Sequence, residues 1–214
     1  MLKIVLYQWF QTPIGIILPI YRNITLRITF YLVQLPLPTP FIVIATQNNV
    51  GTAGTQLLPY AQMDRFLVRL SVGYPDRDAQ IAMLRARQDE NPLDRVCQVA
   101  SREDVLAMQT AVRAVSVSDA ILDYITRLTM ASREHPMLEV GVSPRGALCL
   151  CRMAKARAYL LGRDYVVSED VQDVWQDVCA HRVAATPKAR LSGVTGADIL
   201  RNVLSSVESP DQRV

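Results

Sequence analysis

The chain has 214 residues, half of them apolar and 20% charged, a length and balance that can bury a sizeable core. A net charge of +3 with no basic block argues against a nucleic-acid binder. Its four cysteines, Cys97, Cys149, Cys151 and Cys179, follow neither a zinc spacing nor a disulfide framework, and read as buried free thiols in a reducing cytoplasm.

The two signs of charge are unevenly spread. Residues 1–40 hold Lys3, Arg22 and Arg27 and no acid, whereas the remainder carries 20 basic and 20 acidic side chains. The first acidic residue in the chain is Asp64. Residues 4–20 are mostly apolar, but Gln8, Gln11, Thr12, Pro13 and Pro19 interrupt them. That run falls short of the ~20 apolar residues a membrane helix needs, and it lacks a small-residue cleavage site. Residues 24–35, ITLRITFYLVQL, are β-branched and aromatic with partial alternation, which predicts strands. Residues 1–38 are therefore set apart as an atypical apolar segment.

Residues 41–66 organise the rest of the chain. The apolar run 41–45 has no alternation, which predicts a strand buried on both faces of a parallel sheet. It ends in Thr46, Gln47, Asn48 and Asn49, and ligand crevices in open α/β sheets lie at the carboxyl ends of strands. A loop with Gly51 and Gly54 leads to a short helical stretch from about Pro59 to Phe66. Met63 and Phe66 can anchor that stretch with Arg65 pointing outward. Residue by residue, the same segment also reads as a buried strand, a polar loop and a surface arginine.

A second strand is predicted over 67–72, interrupted by Arg69 and ended by Gly73-Tyr74-Pro75. Asp76 starts an amphipathic helix to about Ala86, and Asn91-Pro92 breaks the chain. Ser101 with Asp104 marks a capped helix whose Val105, Met108 and Val112 share a face. From about Val115 the pattern is helical with no strand signal. Ser118 caps a helix with the stripe Ile121, Ile125 and Leu128, ended by His135-Pro136. Ser143-Pro144-Arg145 opens the next, which runs to Gly162. Ser168 is expected to cap a helix carrying Val171, Val174, Trp175 and Val178, with Trp175 in the core. Thr195 caps the last, with Ile199, Leu200 and Val203 inward.

Arg145 falls in the first turn of its helix, where backbone N–H groups and the helix dipole favour a phosphate. A solvated arginine beside a capped helix start is the competing reading. His135 and His181 are too few and too far apart for a metal or a catalytic pair, and both read as helix-end imidazoles.

The string "FIVIATQN", a Gly/Thr loop, "LPYAQMDRF", "LSVGYP" and, downstream, "GVSPRGAL" resembles the MoxR family of AAA+ ATPases over about residues 35–207. The resemblance implies a fold of α/β plus all-α type. The carboxyl-terminal part of a P-loop core, with parallel-sheet strands and helices, would occupy 39–115. A helical lid would occupy 116–207, with a disordered tail at 208–214. It implies roles for three residues: Asn48 as sensor 1 orienting the attacking water, Arg65 as the arginine finger reaching a neighbour's site, and Arg145 as the sensor 2 arginine on the γ-phosphate. Two residues depart from the family pattern: Asn49 where Pro is usual, and Tyr60 where Glu is usual.

The resemblance further implies ATP with Mg2+, a homo-oligomeric ring with six subunits as the expected count, and chaperone-like maturation of partner proteins. A von Willebrand factor A-domain protein is the partner it suggests. Neither a Walker A nor a Walker B motif precedes residue 38. The expectation is a truncated subunit, inactive alone, whose first ~35 residues are unrelated sequence or, in the rival reading, a membrane anchor. The alternative function is a non-catalytic protein-interaction module derived from the lid and partial core.

Overall fold

Local capping chemistry fixes most of the helix starts. The computed structural model describes residues 2–8, 39–48, 59–88 and 91–210. The strands expected within 24–35, the glycine loop at 51–58 and the end of the tail lie outside the described residues. Eight α-helices are described: α1 Tyr60–Met63, α2 Arg77–Ala86, α3 Arg102–Ala114, α4 Asp119–Glu134, α5 Pro144–Leu160, α6 Ser168–Cys179, α7 Pro187–Leu191 and α8 Gly196–Ser206. Asp76, Ser101, Ser118, Ser143, Thr186 and Thr195 each accept a hydrogen bond from an amide in the first turn of the adjoining helix. Asp104 and Asp198 complete reciprocal capping boxes with Ser101 and Thr195. α6 departs from the expected pattern. Ser168 is already helical, and the carboxylate of Asp170 reaches back to the Val167 amide at 3.0 Å.

The strands are β1 Leu2–Gln8, β2 Ile42–Asn48, β3 Val68–Ser71, β4 Leu138–Val140 and β5 Ala184–Ala185. The main sheet has the order β2-β1-β3, and β1 runs antiparallel to both neighbours. β2 and β3 therefore point the same way, as expected of the core strands, but they are not hydrogen-bonded to each other. β1 lies between them and makes the local pairing antiparallel rather than parallel. β2 is also not buried on both faces: Ile42 is 56% and Ile44 64% exposed, while Phe41, Val43 and Ala45 are half-buried. No described helix covers that outer face, so its apolar residues stay open.

The core lies in the helical half. α4 presents Ile121, Tyr124, Ile125 and Leu128 at helical spacing, and all four are buried. α5 adds Leu150, Ala154 and Ala158, and packs along α6, whose Val171, Trp175 and Val178 are fully buried. α8 closes the core with Ile199, Leu200 and Val203. The Trp175 indole N–H donates to the Leu200 carbonyl at 2.9 Å, so the largest core side chain buries no unpaired donor. Burying a Leu- or Val-sized side chain contributes roughly 1.5–3 kcal/mol, so this cluster dominates the stability of the helical half.

The core is not purely helical after Val115. β4 and β5 form a small antiparallel ladder, Leu138 opposite Ala185 and Val140 opposite Ala184. Strands of two and three residues carry no readable alternation, and tertiary contacts impose these. The Ser132 hydroxyl accepts from the Val142 amide at 3.0 Å, and Arg133 Nε donates to the Val142 carbonyl at 2.7 Å. These bonds fold residues 135–142 back along α4 and set where α5 begins.

Candidate functional site

Three consecutive physical constraints build the site around Asp64. First, α1 is a single turn, and Met63 and Phe66 are both buried, so the turn after it is anchored by apolar contacts as its sequence predicts. Second, Ser143 caps α5 by accepting from the Gly146 amide at 3.1 Å, and its hydroxyl donates to the Asp64 carboxylate at 2.9 and 3.1 Å. Third, Arg182, just past the end of α6, is fully buried and directed at the same turn.

The Arg182 contacts account for every donor it has. Nε donates to the Val178 carbonyl at 2.8 Å. Nη1 donates to the Asp64 carbonyl at 2.6 Å and to the Asp64 carboxylate at 3.2 Å. Nη2 donates to the carbonyls of Phe66 at 2.6 Å and Leu67 at 3.2 Å. A guanidinium has five N–H donors in a rigid fork, and a buried cation is tolerated only when they are met. Here they are met by one carboxylate and four peptide carbonyls.

His181 sits beside it, 2% exposed, with Nε2 3.0 Å from the Phe66 carbonyl. A ring nitrogen facing a carbonyl donates, so Nε2 carries the proton. Burial, and then the Arg182 charge, push the imidazole pKa down to about 3. The residue is neutral and buried, which corrects the expectation of a charged imidazole favoured by a helix end.

The three sequence-predicted residues fall in different surroundings. Asn48 ends β2, with its backbone opposite Leu2 of β1, and its side chain lies outside the described residues. Arg65 is half-buried in the turn after α1. Arg145 is exposed at the second position of α5 and makes no ion pair with a described residue. The Asp64–Ser143 hydrogen bonds bring the neighbourhoods of Arg65 and Arg145 together, since each arginine lies within two residues of a bonded partner. The helix start offers less to an anion than its position implies. Pro144 has no N–H, and Ser143 already holds the Gly146 amide, so positive character there rests on the Arg145 guanidinium.

The exposed Arg145 guanidinium is a donor of the kind a triphosphate requires. Magnesium does not find a matching set, because no group of three His, Cys, Asp or Glu among the described residues could hold a metal. The sequence reading missed Arg182 and took His181 only for a helix-end imidazole. The signal available was a polar pair embedded in an apolar run, CAHRVAA, in which Cys179, Val183, Ala184 and Ala185 are also buried.

A strand-turn unit joined to a capped helical bundle is consistent with the carboxyl-terminal part of an AAA-type core followed by a helical lid. Family comparison agrees. The AAA lid domain matches residues 130–203, and the ATPase family associated with various cellular activities (AAA) matches residues 23–68. The core match thus begins before residue 35, where the sequence resemblance starts. Relatives include the uncharacterized protein YeaC of Bacillus subtilis, 38% identical over 83% of this chain and 55% of the relative. Another is chaperone MoxR1 of Mycobacterium tuberculosis, 33% identical over 82% of this chain and 48% of the relative. A crystal structure of an inferred ATPase from Cytophaga hutchinsonii superposes with a TM-score of 0.71 at 31% identity, covering 77% of this chain and 53% of that one. The chain belongs to the MoxR family of AAA+ proteins. It spans about half the length of the curated relatives it matches.

Proposed function

We propose that these residues form the sensor-and-lid portion of a MoxR-type AAA+ ATPase subunit. In this reading the portion acts on a nucleotide whose phosphate loop lies elsewhere. The observation that carries the proposal is the Asp64 carboxylate bonded to the Ser143 hydroxyl. It couples the turn holding Arg65 to the helix start holding Arg145. Arg145, permanently charged and exposed, contacts the γ-phosphate bound between core and lid of the same subunit. Arg65 reaches the nucleotide of a neighbouring subunit and stabilises charge developing on the transferred phosphoryl group. Asn48, at the carboxyl end of β2, orients the attacking water. ATP is the nucleotide in this proposal, a ring of like subunits the assembly, and chaperone-like action on partner proteins the output, a von Willebrand factor A-domain protein among the candidates.

No G-x-x-x-x-G-K-[ST] occurs in the 214 residues, and the described residues offer no magnesium cluster. In this reading another polypeptide segment supplies the Walker lysine and the magnesium ligands, and none of the described residues is assigned to magnesium. The test mixes the purified chain with a MoxR-family ATPase that has an intact phosphate loop but lacks its own finger arginine. Restored ATP turnover, lost by ~10³-fold or more with Arg65→Ala in the added chain, is the expected result. Turnover that is restored equally by the wild type, Arg65→Ala and Arg145→Ala refutes the assignment.

The missing phosphate loop also favours a second reading, a non-catalytic interaction module. Titration of the 214-residue chain with ATP and magnesium separates the two. Micromolar binding contradicts the module reading, and no binding together with no restored turnover supports it. Among the described residues no helix is long and apolar enough to cross a membrane.

A further inference from the structure

Arg182 and His181 take no part in the proposed mechanism, yet both bond the turn that carries Arg65, and every donor of Arg182 is met. Their targets are specific. Arg182 holds the carbonyls of Asp64 and Phe66, the two residues that flank Arg65, and then that of Leu67. His181 holds the Phe66 carbonyl a second time. The peptide units on either side of Arg65 are thus held from the lid in addition to the turn's own backbone bonds. The Arg65 amide donates to Gln62 at 3.2 Å and the Phe66 amide to Met63 at 3.1 Å. The same Asp64 that Arg182 pairs with also accepts from Ser143 at the start of α5.

Gly146 supplies an independent sign that α5 is built around this side chain. A Cβ there would come within 3.0 Å of Arg182 Cδ and 2.6 Å of Val142 Cγ1. The first turn of α5 therefore leaves room for the Arg182 stem to pass, and a side chain at 146 would displace it.

We propose that Arg182 is the positioning residue for Arg65. It clamps the backbone on both sides of the finger, shares the Phe66 carbonyl with His181, and is linked through Asp64 and Ser143 to the helix that carries Arg145. A shift of the lid then moves the finger with it, so the nucleotide sensed at Arg145 and the charge delivered at Arg65 are mechanically one unit. The proposal rests on the reading of Arg65 as a residue acting on a neighbour's nucleotide. Lysine cannot replace arginine here, because one ammonium cannot span carbonyls that a planar fork reaches separately.

The test uses the full chain with Arg182→Lys and, as a second variant that keeps every charged group, Gly146→Ala. Hydrogen exchange comes first. The amides of Arg65 and Phe66 are expected to exchange about 10- to 100-fold faster in both variants, while those in the middle of α4 and α6 keep their protection. Restored turnover in the mixed assembly comes second. Turnover number is expected to fall about 10- to 100-fold with the KM for ATP unchanged, because a finger acts on the transition state and not on nucleotide binding. Unchanged exchange at 65 and 66 in both variants overturns the clamp. Exchange that rises equally in α4 and α6 shows mere structural support, and also overturns it. Should Arg65→Ala abolish turnover while Arg182→Lys and Gly146→Ala leave it intact, the positioning role fails and the finger assignment stands. Should Arg65→Ala leave turnover intact, both fail.

Discussion

Acidification from pH 7 to pH 5 perturbs His181 more directly than any substitution. Folded, the imidazole is neutral, its pKa pushed down to about 3 by burial and by Arg182. Unfolded, it returns to its ordinary value near 6.5. A folded pKa below the unfolded one means the unfolded chain binds the proton first. Stability contributed by the neutral ring is therefore complete above the unfolded pKa and is lost as pH falls from there toward 3. Between pH 7 and pH 5 the unfolded state gains the binding free energy of nearly one proton, about 2 kcal/mol, and the folded state gains almost none. Asp177, raised by burial, works in the opposite direction, but only nearer the carboxylate range. The assay is urea unfolding at the two pH values in a Trp9→Phe background, followed by the fluorescence of Trp175, which is fully buried. His181→Gln should flatten the slope. If His181→Gln does not fold, ring proton shifts of the wild type give the same information, since His181 should not titrate above pH 5. A wild-type stability change below about 0.5 kcal/mol over this range would refute a neutral, buried His181.

Three further outcomes are set by geometry. Gly141→Ala should destabilise the fold by roughly 1–3 kcal/mol in the same assay, because its Cβ would meet the Arg133 Cα at 2.5 Å and backbone atoms yield little. Asp170→Asn should cost roughly 3 kcal/mol, since it breaks the paired bonds from Arg163 at 2.6 and 2.7 Å and leaves Arg157 and the Val167 amide without their carboxylate. Burial pushes that carboxyl up, but Arg163, the Val167 amide and Arg157 outweigh it and hold it below the usual range. Its contribution is therefore present above the ordinary carboxylate pKa and lost below it, so Asp170→Asn should also remove part of the stability decline below pH ~4. With a thiol reagent at neutral pH, the exposed Cys97 should react at once, whereas Cys179, fully buried and with its thiol pushed up by desolvation, should react only on unfolding.

The sequence was most informative where structure is decided locally. Ser101, Ser118, Ser143 and Thr195 cap their helices within three residues, so their role needs no knowledge of the rest of the chain. The core stripe of α4 and the burial of Trp175 were legible for the same reason, through periodicity. Ser168 was misread because a capping serine and a first-turn serine look alike, and it is Asp170 that closes the turn. β4 and β5 were invisible because their pairing depends on Ser132 and Arg133 reaching across to Val142. The proposed site divides the same way. Arg65 and Arg145 stand out in motif-like strings, but the link between them runs through Asp64 and Ser143, which are 79 residues apart. Four of the five acceptors of Arg182 are peptide carbonyls and its one carboxylate lies far away in the chain, so no local pattern marks it.

The open outer face of β2 implies that the molecule should come apart from one end. β3 is fastened, with Val68 in the core and the carbonyls of Phe66 and Leu67 held by Arg182. Among the described residues β2 is held by its pairing with β1 and by no buried cation, and Ile42 and Ile44 gain little by staying in place. On warming, the strand that leads to Asn48 should loosen well before the helical half melts, as a low-stability unit fraying from a rigid one. Of the three proposed nucleotide contacts, the amide would then be lost first, while the two arginines remain locked together.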